Sequence, residues 1–289
     1  MDGVDPVAEL ADLVGRGGAV ALSGAGLSTD SGIPDYRGPS GLARRATPMT
    51  LQTFTGDPDA RRRYWARSQL GWRVIARATP NAGHRAVADL ARAGLLDAVI
   101  TQNVDGLHTA AGAPGVVELH GNLDRVHCLD CGEVTARALL DERLRAANAG
   151  WAARPTAVNP DGDVDLAAED VAGFTVVDCA ACGGMLKPDV VFFGETVPRE
   201  RVQQCFAVVE RAASLLVLGS SLTVMSGYRF VLRAAKHGVP VAIVNQGATR
   251  GDDKALLRLD APLGRVLPEV VDRIQRRGSA DPTPERQAG

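Results

Sequence analysis

Short apolar runs rich in valine, isoleucine and leucine recur along the chain, and each is followed by glycine, serine or asparagine and then by a helical pattern. Buried parallel strands in β/α units have this pattern. The clearest runs are Ala19 to Leu22, Ala98 to Thr101, Leu215 to Leu218 and Val239 to Val244. Between them, apolar residues repeat at helical spacing at Ala86, Val87, Leu90 and Ala91, and again at Val202, Phe206, Val209 and Ala213. The pattern predicts an α/β fold with a doubly wound parallel sheet.

The alternation of apolar runs and helical patterns is absent from two stretches, from about Arg44 to Pro80 and from about His127 to Lys187. These stretches contain arginine, tryptophan and cysteine instead. We interpret both stretches as insertions that form a smaller lobe, the first of them helical. The predicted boundaries are 1–44, 81–126 and 186–277 for the large domain, 45–80 and 127–185 for the insertions, and 278–289 for a disordered tail. Residues 151–171 contain two prolines and five acids, which favours a surface loop.

Composition narrows the classes of function. The chain has 289 residues, of which 45% are hydrophobic, so it can bury a full core and is neither disordered nor fibrous. A formal net charge of -2 gives no support for binding to nucleic acid or to an anionic membrane. Residues 1–10 include three acids and no base, which fits neither a secretory signal nor a transit peptide. Five cysteines are too few for a disulfide scaffold. We therefore expect a cytoplasmic monomer with no nucleic-acid or membrane partner.

A glycine-rich loop follows the first predicted strand, where the chain reads SGAGLS from Ser23 to Ser28. Small residues there let the backbone approach a phosphate at the start of the next helix, as in Rossmann-like folds. The dinucleotide fingerprint is incomplete, because Thr29 stands where its third glycine would fall. An ordinary tight turn is the alternative interpretation. The polar stretch that follows, Asp30 to Gly38, has a length that suits a mobile flap over a ligand.

Polar residues end the second predicted strand, where Gln102, Asn103, Val104 and Asp105 follow Thr101. At the carboxyl edge of a central parallel strand, such side chains face a ligand near the point where the strand order reverses. Capping of the helix that starts nearby is the other explanation for Asn103 and Asp105.

Four of the five cysteines form two Cys-x-x-Cys pairs, Cys128 with Cys131 and Cys179 with Cys182, and a glycine follows each pair. Two such pairs make a tetrahedral four-thiolate site for one zinc ion. Because this site leaves the metal no open position, the zinc should be structural. A redox-active Cys-x-x-Cys is the rival interpretation, but it would not require a second pair. Cys205 lies in an amphipathic helical pattern and is expected in the core.

Taken together, these segments resemble the sirtuin family, and the resemblance covers the chain from Leu10 to about Ile274. Besides the cysteine pairs, the motifs that carry it are GAGLSTDSGIPDYR from Gly24 to Arg37, TQNVDGLH from Thr101 to His108, ELHG from Glu118 to Gly121, KPDVVFFGE from Lys187 to Glu195, GSSL from Gly219 to Leu222 and NQG from Asn245 to Gly247. Three further segments, Tyr64 to Arg67, Gly227 to Phe230 and Ala248 to Asp253, resemble the class II branch, which includes the mitochondrial lipoamidase and ADP-ribosyltransferase sirtuin.

The resemblance implies an NAD-dependent protein-lysine deacylase. Such an enzyme transfers the acyl group of a lysine side chain to the ADP-ribose part of NAD, and it releases nicotinamide, 2′-O-acyl-ADP-ribose and free lysine. Acylated-lysine proteins are then the expected partners, and NAD and one structural zinc ion are the expected cofactors. The first step depends mainly on positioning and on stabilising developing charge, so the protein needs no strong nucleophile.

The same resemblance assigns the catalytic residues and those that bind NAD. His120 is the expected general base, since a histidine suits that role near neutral pH. Val104 and Asp105 are expected to hold the nicotinamide carboxamide, and Asn103 and Gln102 to order the ribose and nearby water; Asn103 and Asp105 count as catalytic. The other expected contacts with NAD are Gly24, Ala25, Gly26, Ser28, Ile33, Pro34, Asp35, Tyr36, Arg37, Gly219, Ser220, Ser221, Asn245, Gln246, Gly247 and Leu263.

Residues 190–194 would by themselves indicate a buried strand. The resemblance makes them the floor of a cleft in which an extended substrate adds as a β-strand, with Val190, Phe192, Phe193 and Gly194 as expected contacts. The family often has proline shortly after the GSSL motif, where this chain has Met225 and Ser226. Packing near the adenine end is therefore expected to differ.

Tyr64 and Arg67 are three residues apart, so they share a face on a helix. In the class II branch this pair lies at the far end of the acyl channel, where a guanidinium can bind a carboxylate. The hypothesis is that carboxylated or long acyl groups are removed faster than acetyl. A solvated basic helix face is the alternative.

Three other functions stay open at this point. A protein mono-ADP-ribosyltransferase would use the same NAD cleavage with a different acceptor. A catalytically silent NAD or ADP-ribose sensor would not need to keep Asn103, Asp105 and His120. An NAD-linked dehydrogenase is disfavoured by the incomplete fingerprint.

Overall fold

The computed structural model of the protein describes residues 5–35, 49–153 and 163–280. The described helices are α1 Pro6–Gly15, α2 Leu51–Gly56, α3 Pro58–Ile75, α4 Ala82–Arg92, α5 Leu107–Ala110, α6 Arg137–Ala147, α7 Ala168–Ala172, α8 Arg199–Glu210, α9 Met225–Lys236 and α10 Leu263–Ala280. The strands are β1 Ala19–Ser23, β2 Leu96–Thr101, β3 Val116–Glu118, β4 Gly121–Cys128, β5 Val134–Ala136, β6 Leu186–Val190, β7 Ser214–Leu218, β8 Val241–Val244 and β9 Leu257–Leu259. Short 3-10 segments span Ala25–Leu27, Thr29–Ser31 and Asp252–Lys254.

Six parallel strands form the large sheet in the order β3-β2-β1-β7-β8-β9. Every residue of β1 and of β7 is buried, because helices cover both faces of the sheet. One core contains residues of α1, α4 and α10, and the other contains residues of α8 and α9, including Cys205. The α/β prediction of a doubly wound parallel sheet is confirmed. The direction of strand order reverses between β1 and β7, and this places their carboxyl ends at the ligand-binding edge of such a fold.

The end of the large sheet formed by β8 and β9 shows where the sequence pattern was too coarse. β8 begins at Val241, two residues later than the apolar run, because Pro240 has no N–H to donate to a neighbouring strand. The edge strand β9 was not predicted. It has three residues and only Leu259 is buried, so it carries too little apolar pattern to be recognised.

Both insertions contribute to one smaller hydrophobic cluster. Phe54 and Trp65 come from α2 and α3, and they pack in the same cluster as Leu140 of α6 and Phe174. α3 begins where Asp57 accepts hydrogen bonds from two backbone N–H groups of its first turn, with proline at its start. A three-stranded antiparallel sheet in the order β5-β4-β6, which the sequence did not predict, lies across both ends of the second insertion: β5 is inside it, β4 runs into it and β6 follows it. The domain boundaries stay predictions.

Three predicted segments differ in the structure. β6 ends at Val190, so residues 191–194 are not a strand. α10 continues to Ala280, past the predicted start of the tail, and residues 281–289 lie outside the described part. Within the predicted surface loop, Asp163 and Val164 are buried, because the segment they belong to packs against α3. No helix within the described residues is both long enough and apolar enough to cross a membrane.

Candidate active site

A cavity of about 550 Å³ lies at the carboxyl ends of the large sheet's strands, and residues of the smaller lobe close its other side. It brings together most of the residues that the sequence indicated. Those lining it are Gly24, Ala25, Gly26, Ser28, Ile33, Pro34, Asp35, Tyr64, Gln102, Asn103, Val104, Asp105, His120, Val190, Phe192, Phe193, Gly194, Gly219, Ser220, Ser221, Asn245, Gln246 and Gly247. Tyr36 and Arg37 lie outside the described residues.

Two glycine loops touch where β1 and β7 end. Gly26 N donates to Gly219 O at 2.9 Å, and a Cβ at Gly24 would lie 2.8 Å from the same oxygen. Gly219 has a φ of 64°, in the left-handed region, and a Cβ there would lie 2.6 Å from Leu27 N. A side chain at any of these glycines would push the loops apart. The loops leave bare backbone on the cavity wall, where an anionic phosphate can approach closely.

Ser28 connects the two polar side chains that follow β2. Its hydroxyl donates to Asp105 Oδ2 at 2.6 Å, and Asn103 Nδ2 donates to Ser28 Oγ at 3.0 Å and to Gly24 O at 3.1 Å. Asp105 Oδ1 accepts from Leu107 N at 2.9 Å. Burial raises the pKa of Asp105, and the bond from Ser28 opposes that shift. Asp105 therefore stabilises the start of α5 and faces the cavity, so the two interpretations of this segment are compatible.

His120 lies two residues after β3, at the carboxyl edge of the large sheet. Its Nδ1 is 2.9 Å from Gln102 O, and its Nε2 is 2.9 Å from Ser226 Oγ. A carbonyl oxygen only accepts, so Nδ1 carries the proton of the neutral ring and Nε2 carries the lone pair. Burial lowers the pKa of His120, Arg201 and Arg229 lower it further, and the bond to Gln102 opposes them. The ring is thus neutral at neutral pH, as a general base must be.

Two other histidines form a buried pair behind this edge. The rings of His84 and His108 are 5.1 Å apart, and both residues are almost completely buried. His108 Nε2 is 2.8 Å from Ser23 Oγ, and His84 Nε2 is 3.5 Å from Ser28 Oγ. Burial lowers the pKa of His84 to about 4 and that of His108 to about 3. The local sequence around either residue does not indicate this pairing.

Tyr64 and Arg67 are not brought together at the cavity. Tyr64 lines it and packs edge to face against Phe192, with ring centroids 5.2 Å apart. Arg67 lies outside it, where Nε donates to Val164 O at 2.6 Å. The Arg67 guanidinium also forms ion pairs with Asp163 at 3.1 Å and Asp165 at 3.0 Å. These partners satisfy the charge that was expected to face the acyl channel.

Leu263 also differs from its expected place. It starts α10, is 7% exposed and belongs to the core that includes α1 and α4. A Cβ at Gly219 would lie 2.8 Å from Leu263 Cδ1, so the leucine lies behind the glycine loop and supports it. Leu263 therefore packs as a core residue and does not line the cavity.

Several residues at the cavity were missed or misplaced. Ser226 contacts His120 and does not mark the adenine end, and Arg229 lines the cavity one turn further along α9. Lys187 is 1% exposed and pairs with Glu195 at 2.9 Å, while Glu195 also accepts from Phe192 N at 2.8 Å. This buried ion pair fixes the segment that follows β6. The KPDVVFFGE motif contained that signal, because a lysine in an apolar run needs a partner.

The four predicted zinc ligands form one cluster. The sulfur atoms of Cys128, Cys131, Cys179 and Cys182 all lie within 4.8 Å of one another. Sγ of Cys128 is 3.5 Å from Sγ of Cys182, and Sγ of Cys131 is 3.9 Å from Sγ of Cys179. Tetrahedral zinc with bonds of about 2.3 Å places sulfur atoms about 3.8 Å apart, so the cluster fits one zinc ion. None of the four forms a disulfide.

Comparison with known proteins places this geometry in a family. The sequence model described as "Sir2 family" matches residues 24–226. Over 272 residues the chain is 61% identical to "NAD-dependent protein deacetylase 1" of Streptomyces coelicolor, covering 94% of this chain and 91% of that protein. Over 250 residues it is 52% identical to "NAD-dependent protein deacetylase" of Bordetella pertussis, covering 86% and 91%.

Solved structures agree with the sequence relatives. One described as "Sir2-p53 peptide-NAD+" matches with a TM-score of 0.73 at 30% identity, over 94% of this chain and 98% of that one. Another, "Structural Basis for the Mechanism and Regulation of Sir2 Enzymes", matches with a TM-score of 0.75 at 30% identity, over 94% and 99%. With motifs, fold and matches over most of its length in agreement, the chain belongs to the Sir2 family, the sirtuins.

Proposed function

We propose that this protein is an NAD-dependent protein-lysine deacetylase. The observation that carries the proposal is the content of one cavity. It holds a neutral histidine, the Asn103 and Asp105 side chains, and two glycine loops whose backbone is suited to phosphate. The relatives in Streptomyces coelicolor and Bordetella pertussis are named for this activity. A related structure carries both a peptide and NAD+.

The residues of the cavity fit NAD. The bare backbone at Gly24, Gly26 and Gly219 would receive the pyrophosphate, because all three glycines line the cavity and the two loops pack closely against each other there. Asn245 and its neighbours after β8 would hold the adenosine ribose. Asp105 accepts hydrogen bonds from Ser28 and Leu107 N, which hold the carboxyl group in place beside the expected nicotinamide carboxamide. When bound, NAD supplies the bond to nicotinamide that is broken and the ribose that receives the acyl group.

His120 would act as the general base. Its Nδ1 is held by the Gln102 carbonyl, so the basic Nε2 has a defined direction. Asn103 is fixed by Ser28 and Gly24, and it would order the ribose and a nearby water through its remaining polar capacity. Since these groups are positioned before substrate binds, little reorganisation is needed during the reaction.

The acyl-lysine substrate would enter beside residues 190–194. Leu51 N donates to Phe193 O at 3.0 Å, so this segment joins the large domain to the smaller lobe. Phe193 is 44% exposed at the cavity, and Phe192 packs against Tyr64 inside it. An extended peptide could add to such a segment through its backbone and insert its modified lysine into the cavity beside the aromatic rings.

For the acyl group we propose acetyl over carboxylated chains. Arg67 lies outside the cavity, and Asp163 and Asp165 already compensate its charge. The hypothesis that Arg67 selects acidic acyl groups therefore loses its structural basis. Assignment to the class II branch stays a prediction. So do the domain boundaries, in which the large domain binds NAD and the two insertions form the substrate and zinc lobe.

Product analysis tests the proposal against its main alternative. The protein is incubated with NAD and an acetyl-lysine peptide, and the peptide is examined by mass spectrometry. A deacetylase removes the mass of an acetyl group and releases nicotinamide only when acetylated peptide is present. A peptide or protein that instead gains the mass of ADP-ribose would favour mono-ADP-ribosyl transfer. Binding of NAD without release of nicotinamide under any condition would favour the silent sensor.

A further inference from the structure

The two nitrogens of the His120 ring each contact a neutral oxygen. Nδ1 donates to Gln102 O at 2.9 Å, and Nε2 lies 2.9 Å from Ser226 Oγ. In the neutral ring Nε2 has no proton, so the Ser226 hydroxyl donates to it. Among the residues that the structure describes, no carboxylate hydrogen-bonds to this ring. A positive charge on the ring would therefore depend on these two oxygens for compensation.

The surroundings of His120 oppose such a charge. The ring is largely withdrawn from water, and Arg201 of α8 and Arg229 of α9 both act against its protonation. Three carboxylates, those of Asp35, Asp105 and Glu195, line the same cavity. Two of them have other partners: Asp105 accepts from Ser28, and Glu195 pairs with Lys187. A general base in this position needs an acceptor that can stabilise the imidazolium once the proton has moved.

Ser226 is placed for this by the packing of α9. It is the second residue of the helix, and its neighbour Gly227 lies directly against the Gln102 side chain. A Cβ at Gly227 would come within 2.3 Å of Gln102 Oε1. The helix therefore packs against the same residue whose carbonyl holds Nδ1. A serine hydroxyl can change from donor to acceptor by rotating its hydrogen, with no movement of the backbone.

From this geometry we propose that Ser226 is a positioning residue for His120: its hydroxyl donates to the neutral ring and accepts a hydrogen bond from the imidazolium. The substrate hydroxyl displaces the Ser226 hydroxyl from the single lone pair of Nε2 and gives its proton to that nitrogen as its oxygen bonds to the acyl carbon. Ser226 keeps its own proton, reorients and then accepts from the Nε2–H. The bond to the imidazolium is charge-assisted and is the stronger of the two. Ser226 thus favours proton uptake by the base. The catalytic consequence rests on the proposed function, whereas the hydrogen bond itself does not.

The hydrogen bond is tested without any turnover. The pKa of His120 is measured by NMR titration of histidine-labelled protein, with the His120 signal assigned from a His120→Ala variant. Ser226→Ala should lower this pKa by about half a unit to one unit, because the charged form loses more than the neutral form does. Ser226→Thr keeps a hydroxyl and should retain the wild-type value. An unchanged pKa in Ser226→Ala, or the same shift in both variants, would overturn the proposal.

The catalytic consequence is tested by kinetics over pH. Ser226→Ala should lower kcat by roughly threefold to tenfold, part of what a general base contributes, and leave the KM for NAD unchanged. The acid limb of kcat/KM for the acetylated peptide should move to lower pH. A lower kcat with the wild-type acid limb would mean that Ser226 only packs the helix, and would contradict the proposal. If the wild-type protein itself releases no nicotinamide, the proposed function fails, while the NMR titration still decides on the hydrogen bond.

Discussion

The carboxyl edge of the large sheet, where NAD is expected to bind (the NAD edge), differs from the part of the smaller lobe around Arg67 in what fixes the side chains. At the NAD edge, the polar and glycine segments follow β1, β2, β7 and β8 directly, and parallel strands bring their carboxyl ends together. In the smaller lobe, the direction of Arg67 on α3 depends on Asp163 and Asp165, which lie almost 100 residues further along the chain. Sheet topology thus fixes the side chains of the NAD edge, whereas ion pairs with distant residues fix the direction of Arg67.

This difference separates two kinds of inference from sequence. A short loop after a strand must lie near the end of that strand, so residue type and order are enough to locate it. The face of a helix is also predictable, but the endpoint of a long charged side chain is set by whichever partner lies within reach.

The largest effect is expected at the zinc cluster, which supports the smaller lobe. Cys131→Ser or Cys179→Ser should release the metal and destabilise that lobe by several kcal/mol, since structural zinc contributes directly to folding free energy. Metal content by mass spectrometry and thermal unfolding would measure this. Cys205→Ser, away from the cluster, is the matched control for metal content. Full activity after verified zinc removal would contradict the account.

At the NAD edge, His120→Ala should lower kcat by about 10²-fold or more, the usual scale for loss of a general base. The affinity for NAD, measured by calorimetry, should stay close to that of the wild type, because the two glycine loops at the ends of β1 and β7 are unchanged. His237→Ala, which changes the exposed histidine at the C-terminal end of α9, is the control. Near wild-type turnover in His120→Ala would remove this residue from the mechanism.

The buried pair behind the edge should make stability depend on pH. The pKa values of His84 and His108 are lowered to about 4 and about 3, whereas an unfolded histidine titrates near its ordinary value of about 6.5. Below that value the unfolded chain binds more protons, so stability is complete above it and falls as the pH drops. From pH 7 to pH 5, each of the two histidines should lower the free energy of unfolding by roughly 2 kcal/mol.

Urea unfolding at several pH values checks this. His108→Gln should flatten the pH dependence of the free energy of unfolding by less than half, because His84 and His120, whose pKa values burial also lowers, still contribute. His237→Gln, at an exposed position, is the control for the change of residue type. Equal slopes in wild type and His108→Gln would show that His108 is not held neutral by burial.

The smallest effect on selectivity is expected at Arg67. Arg67→Met should change kcat/KM for acetyl-lysine and succinyl-lysine peptides by similar factors, because the guanidinium is bound by Asp163 and Asp165 outside the cavity. Acetyl should be the better substrate in both proteins. The double variant Asp163→Asn with Asp165→Asn removes both ion-pair partners of Arg67, and its selectivity is compared with that of Arg67→Met. A loss in Arg67→Met confined to the succinyl peptide would restore the acyl-selector hypothesis.

Much of this molecule follows from the sequence. The four clearest strands, the family, the cysteine cluster and most of the cavity residues were predictable, because each depends on local pattern and parallel topology. The small sheet was not, since β5 has only three residues and β4 pairs with β6 across a long stretch of chain. The place of Leu263 and the contact of Ser226 with His120 depend on how α10 and α9 pack, which no local pattern specifies.

The central claim is that the cavity couples NAD cleavage to removal of an acetyl group from lysine. The most direct test follows nicotinamide and deacetylated peptide in the same reaction, with NAD in excess and peptide concentration varied. The account predicts equal amounts of the two products at every time point, and no nicotinamide without acetylated peptide. Nicotinamide released without matching loss of acetyl groups would contradict it.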